Sequence, residues 1–193
     1  MLTTGIATGT QPGESAQPGP FRFAAPDSAA FRAAFAHLAA GVSVITTVDN
    51  DGQKIGLTAT AVTAVSAEPP LVLVCIGHWS RAIAPLQANA PFIIHLLAAE
   101  QQQLARHFAT AQVDKFAGLT YEEGFGGCPR LSAALAWIEC IPHRLYPAGD
   151  HLIVVGQVLK IMLGSDTHAP LVYFRRQFHT LSEPTRAAGN AQE

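Results

Sequence analysis

Short runs of Val, Ile, Leu and Thr, each halted by a Gly-, Pro- or Asn-containing turn, limit what this chain can fold into. Residues 42–48 are β-branched almost throughout. Asn50-Asp51-Gly52 just behind them is a strong reversal signal, because Asn and Gly accept the positive φ of a tight turn. The spacing predicts a hairpin of strands 42–48 and 55–66. Pro69-Pro70 ends the second strand, since proline lacks the N–H of a sheet ladder, and an apolar strand over 71–76 follows. Further strands are expected over 92–97, 137–146, 151–161 and 171–174, with a turn at Pro147-Ala148-Gly149-Asp150. Helices are fewer. One should run from an Asp27 or Ser28 cap to Gly41, with Phe31, Phe35 and Leu38 on one face. A second should span 81–89 behind Ser80, limited by Pro85, and a third 100–109 with Leu104 and Phe108 inward. Residues 114–130, which carry Gly118, Gly124, Gly126, Gly127 and Pro129, read as a long surface loop. Hairpin-linked strands with only occasional helices favour a mainly β fold, a barrel with peripheral helices. A doubly wound sheet would need helices alternating with strands.

The 193 residues suit one domain over 27–182, with a flexible segment 1–26 before it and a disordered tail 183–193. Only 13% of residues are charged, about half the usual share. So few charges cover a monomer poorly, which points to burial against a second copy. Twelve basic and 14 acidic residues give a net charge of −2, so no cationic surface argues for nucleic acid. The longest apolar runs, 71–77 and 92–99, fall short of a membrane span, and the N-terminal residues lack the pattern of a secretory signal. Cys75, Cys128 and Cys140 have no metal-type spacing and read as reduced thiols of a cytoplasmic protein. The eight histidines form no ligand cluster, so no metal site is expected.

Three places could carry chemistry. The stretch Ile55–Pro70 alternates small hydroxyl and small apolar residues, with Thr58, Ala59, Thr60 and Ser66 leaving a shallow face lined with polar groups. Such a face suits a flat, polar-edged ring; it equally suits a strand packed against a neighbour that needs small residues. Ser80-Arg81 follow a strand and open a helix, where free N–H groups and a guanidinium favour an anion. They also suit a plain helix cap beside a solvated arginine. Asp150-His151 at the Gly149 turn put an imidazole at a strand entrance, a place where a histidine by itself is ordinary surface. Gly124–Gly127 follows no strand and runs into Pro129, so it is a poor dinucleotide loop.

Taken in order, several segments resemble the flavin reductase-like family over roughly residues 28–181. They are Phe31-Arg32, Gly41-Val42-Ser43-Val44-Ile45-Thr46-Thr47, the Thr58–Pro70 stretch, Phe92–Leu97, Leu104 with Phe108, and Lys115-Phe116. Leu135 with Glu139-Cys140, Gly149-Asp150-His151 and Pro170-Leu171-Val172-Tyr173 complete the set. The resemblance implies an FMN-binding split β-barrel that reduces FMN or FAD with NADH or NADPH. It implies flavin contacts at Val42, Thr58, Ala59, Thr60, Ser66 and Phe116, and a phosphate at Ser80 and Arg81. His151 would meet the nicotinamide and orient the hydride donor, and Asp150, also at the cofactor, would hold the imidazole or shape the turn. It further implies a homodimer with the flavin at the subunit boundary, and a separate flavin-dependent monooxygenase receiving the reduced flavin. Two positions depart from the pattern. Ala64-Val65-Ser66 stands where many relatives have Ser-Val-Ser, and His95 where many have Asn. The alternatives are a non-catalytic flavin- or haem-binding barrel of the same type, or a purely structural dimeric barrel.

Overall fold

The computed structural model describes residues 25–111, 114–165 and 167–181. Most of the expected flexible lead-in and the expected tail lie outside the described residues. Helix α1 (Ser28–Phe35) precedes strands β1 (Ala40–Gly41), β2 (Ser43–Val48), β3 (Lys54–Ala59), β4 (Val62–Ala67) and β5 (Pro70–Gly77). Helix α2 (Ile83–Gln87), β6 (Phe92–Leu96) and α3 (Gln102–Phe108) follow. Strands β7 (Tyr121–Glu123), β8 (Pro129–Leu131), β9 (Ala136–Ala148), β10 (His151–Leu163), β11 (Leu171–Phe174) and β12 (Gln177–Thr180) complete the order.

The main sheet is antiparallel, in the order β3-β2-β6-β9-β10-β5-β4. Its two edge strands, β3 and β4, are consecutive in sequence and separated only by Thr60-Ala61. A two-residue link cannot cross the width of an open sheet. The sheet therefore curls until its edges approach, and the Cys75 N–H donates to the Ala61 carbonyl at 3.1 Å, carrying the β4–β5 ladder into the two-residue link. The result is the mainly β, split-barrel architecture. The expected single strand over 55–66 is therefore two strands. Lys54–Ala59 pairs with β2 and Val62–Ala67 with β5, so the stretch of small residues between them spans the seam.

One apolar cluster fills the barrel, with Ile45, Val74, Ile76, Phe92, Ile94 and Leu152 among its members, and α2 plugs it with Leu86. A second lies outside β2 and includes Val44, Leu97, Phe108 and Leu171, under α3 and β11. Strand β2 is thus covered on both faces, and its hydroxyls are satisfied. Thr46 Oγ1 donates to the Pro129 carbonyl at 2.6 Å and Thr47 Oγ1 to that of Pro91 at 2.7 Å.

Two further expectations need correction, and one strand was not foreseen. Helix α1, capped by Asp27 accepting from the Ala30 N–H, stops at Phe35 and not at Gly41. The chain turns there to lay Ala40–Gly41 beside β11, and the Arg175 N–H takes the Ala36 carbonyl. Segment 114–130 is no plain loop, because β7 and β8 form a hairpin pinned to β2 through Thr46. Strand β12 had no sequence signal, since its turn uses Arg175 and Arg176 at φ 48° and 62°, where glycine would have announced a bend.

Candidate functional site

A cavity of about 490 Å³ opens along β3 and the seam, bounded by the segment after β5, the end of α3 and the start of β10. That size falls within the range of small-molecule sites. Thr58, Ala59, Thr60, Ser80, Arg81 and His151, drawn from three separate stretches of sequence, all line it. Val42, Ser66, Phe116 and Asp150 do not. Val42 is buried in the outer cluster, Phe116 packs edge-on against Phe108 at 5.3 Å, and Ser66 sits on β4 opposite Leu71.

The β3 wall is built by close approach. A Cβ on Gly56 would lie 2.3 Å from Phe108 Cε1, so only glycine lets α3 settle on this strand. Thr58 reinforces the contact by donating Oγ1–H to the Ala105 carbonyl at 2.7 Å. Its proton is committed to the scaffold, and the hydroxyl faces the cavity's chemistry only as an acceptor. This narrows the donor role expected of Thr58.

Charge gathers at Arg81 and Lys115. Lys115 Nζ donates to the carbonyls of Gly56 (3.0 Å) and Phe108 (2.8 Å). Partial burial, and then repulsion from Arg81, lower its pKa from the ordinary lysine value. Two cations that repel across one cavity wall are an electrostatic site for an anion. Lys115 is a site member that sequence reasoning missed. Its only signal was its place in the Lys115-Phe116 pair. The helix behind Ser80 begins at Ile83 and is five residues long, later and shorter than expected. Ser80 serves its start, with Oγ accepting from the Ala82 N–H at 3.3 Å and its carbonyl from Ile83 at 3.2 Å. The helix-dipole contribution is correspondingly small, and the two side-chain cations supply the field.

At the other side stands His151. Gly149 takes φ 62°, which closes the two-residue turn between β9 and β10. His151 Nδ1–H donates to Asp150 Oδ1 at 2.7 Å, and this bond lowers the Asp150 pKa from its ordinary value. Nε2 remains as the ring nitrogen for a ligand. Trp79, also on the cavity wall, meets the imidazole edge-to-face at 5.2 Å and 81°. Cys75 lines the cavity as well, and burial raises its pKa, so the group is a thiol.

His95, the departure that put one flavin contact in question, does not line the cavity. It is fully buried. Nδ1–H donates to the Val44 carbonyl at 3.0 Å and Nε2 accepts the Leu131 N–H at 3.0 Å. It joins β2, β6 and β8. Burial lowers its pKa to about 4, with repulsion from Arg130 adding to the effect and the Val44 bond opposing it. Among the described residues no cluster of three or more His, Cys, Asp or Glu could hold a metal. No helix among them is long and apolar enough to cross a membrane. Cys128 and Cys140, pushed up to about 12 by burial, are unpaired thiols like Cys75.

Residues 35–182 match the flavin reductase like domain family. The chain belongs to that family. A Streptomyces pristinaespiralis protein named NADH:riboflavin 5'-phosphate oxidoreductase is 37% identical over 158 residues, 81% of this chain and 90% of that protein. A Thermus thermophilus protein named 4-hydroxyphenylacetate 3-monooxygenase, reductase component, is 37% identical over 156 residues, 81% of this chain and 98% of that protein. Among solved structures, an NADH:FAD oxidoreductase of Streptomyces globisporus in complex with NAD and FAD fragments superposes with a TM-score of 0.77 at 32% identity. That match covers 82% of this chain and 95% of that one. The flavin reductase fold expected from the sequence is therefore the fold of this chain.

Proposed function

We propose that the chain is an NAD(P)H-dependent flavin reductase that takes FMN or FAD at the 490 Å³ cavity and supplies reduced flavin to a separate monooxygenase. The observation that carries the reading is the convergence of the Thr58–Thr60 wall, the Arg81–Lys115 cation pair and His151, held by Asp150 from outside the lining, on one cavity. The names of relatives with an NADH:flavin activity and with a monooxygenase reductase role support it.

The residues present suit the ligand. A flat ring needs a wall without bulky side chains, which Gly56, Ala59 and Ala61 supply. A phosphate needs fixed positive charge, which Arg81 and Lys115 supply. When bound, the flavin provides the two-electron acceptor for the hydride of the nicotinamide. What the chain contributes is placement. Arg81 and Lys115 hold the phosphate end and β3 carries the ring. His151 Nε2 offers a hydrogen-bonding atom for the nicotinamide carboxamide, with Asp150 holding Nδ1. Val42, Ser66 and Phe116 do not line this cavity; Val42 and Phe116 pack in the outer cluster and Ser66 lies on β4.

The proposed assembly is a homodimer. On β10 the alternating residues Leu159, Ile161 and Leu163 are 44%, 56% and 77% exposed, in a stretch beyond the reach of β5. Phe31, Phe35 and Leu38 expose a second apolar face at α1. Apolar stripes beside an unpaired strand edge are costly in water and suit burial against a second copy. The test of function is the absorbance of purified protein mixed with FMN or FAD, followed anaerobically after NADH or NADPH is added. Loss of the oxidised flavin spectrum at a protein-dependent rate is expected, and a rate equal to the protein-free control overturns the reading.

A further inference from the structure

Trp79 occupies a place that the barrel core does not explain. It is 74% exposed, yet it lines the cavity. Its indole covers Gly77, where a Cβ would fall 2.4–2.5 Å from three ring atoms. Gly77 is the direct ladder partner of His151 between β5 and β10. A side chain that folds back over Gly77 from two residues further on therefore arrives against the imidazole, and the rings meet edge-to-face at 5.2 Å. The backbone fixes the same arrangement, because the His78 N–H donates to the Asp150 carbonyl at 3.0 Å.

Among the described residues the imidazole is otherwise hydrogen-bonded only to the Asp150 carboxylate, whose side chain is 82% exposed. Water competes for such a bond, and a single hydrogen bond leaves a ring free to pivot about it. An edge-to-face aromatic contact restricts that freedom. We propose that Trp79, seated on Gly77, is a positioning residue for the reductase reaction. It holds His151 so that Nε2 points at the nicotinamide. The inference rests on the proposed function and adds to it a residue that acts through His151.

The test uses the full chain with FMN and NADH in anaerobic single-turnover reduction, with FMN affinity titrated separately. Trp79→Leu removes the aromatic contact and leaves an apolar side chain. It should slow reduction by about two- to ten-fold, the scale of one lost aromatic pair, with FMN affinity unchanged. Trp79→Phe should restore most of the rate. Gly77→Ala, whose methyl displaces the indole, should reproduce the Trp79→Leu rate. In a His151→Ala background Trp79→Leu should have no further effect, because the residue through which it acts is gone. Parental reduction rates in Trp79→Leu, or rate losses that multiply in the double variant, overturn the inference while leaving the reductase reading intact. Weakened FMN affinity at an unchanged reduction rate also overturns it, by making the indole a flavin contact. A parent protein that reduces no flavin removes the reading beneath it and this inference with it.

Discussion

Lowering the pH from about 7.5 to about 5 should cost this protein stability through one residue, His95. Its ring is fully buried, with Nδ1–H on the Val44 carbonyl and Nε2 accepting from Leu131 N–H. A second ring proton would face that N–H with a donor and would place a charge in the core. Its pKa is about 4, whereas an ordinary imidazole titrates at 6.5. As pH falls, the unfolded chain takes up the proton first. The contribution is therefore complete above 6.5 and is lost progressively down to about 4, below which both states are protonated. At 1.36 kcal/mol per pH unit, that gap corresponds to about 3 kcal/mol in full and about 2 kcal/mol at pH 5. His95→Asn provides the reference, since its amide does not titrate and the carboxylates common to both proteins largely cancel. At neutral pH the variant should be about 1–3 kcal/mol less stable, from its imperfect hydrogen bonds. By about pH 5 the deficit should shrink by about 2 kcal/mol. Urea unfolding at several pH values measures both curves. Parallel stability curves for parent and variant would refute the assignment of this acid sensitivity to His95.

Three further predictions concern the site and the assembly. Arg81→Ala and Lys115→Met should each weaken FMN binding by roughly ten- to a hundred-fold, the loss of a charged hydrogen bond, while riboflavin, which lacks the phosphate, stays nearly insensitive. Fluorescence titration of both flavins checks this, and equal losses for the two would move the phosphate elsewhere. His151→Ala should leave FMN affinity within a few-fold of the parent and slow hydride transfer from NADH in stopped-flow, because a misplaced donor carbon loses the benefit of orientation. An unchanged rate at every NADH concentration would return His151 to the role of a surface residue. Light scattering should give a dimer at micromolar concentration, with an interface on the order of 2,000 Å². Leu159→Glu together with Ile161→Glu should shift it to monomer, and a monomeric parent would end the dimer reading.

Much of the site could be read before the fold was known, and the reasons differ by residue. Thr58–Thr60 stood out because a run of small hydroxyl residues is an unusual filling for a strand. Ser80-Arg81 and Gly149-Asp150-His151 stood out because turns and strand ends mark themselves locally. Lys115 did not, because its role comes from Gly56, 59 positions away, and from Arg81, both brought close by folding. Trp79 was silent for the same reason, since only the ladder that sets Gly77 opposite His151 gives its indole a partner. His95 drew attention only as a departure, standing where many relatives have Asn, and the structure satisfies both its nitrogens inside the core.

By itself the sequence determined the local alphabet of this protein. The β-branched runs become strands because branched side chains suit a pleated sheet, and Asn50-Asp51-Gly52 and Gly149-Asp150 become turns because their backbones accept the φ values required. Tertiary structure alone decided that residues 54–59 and 62–67 part at Thr60-Ala61 and go to opposite edges of one sheet. That outcome depends on closing a curled sheet over a common core, and the small residues at the seam would tolerate either arrangement. Local propensity sets which segments are strands. Which edges meet, and so which side chains face one cavity, is set by the burial of both faces of β2 and by the twist that brings β3 and β5 together.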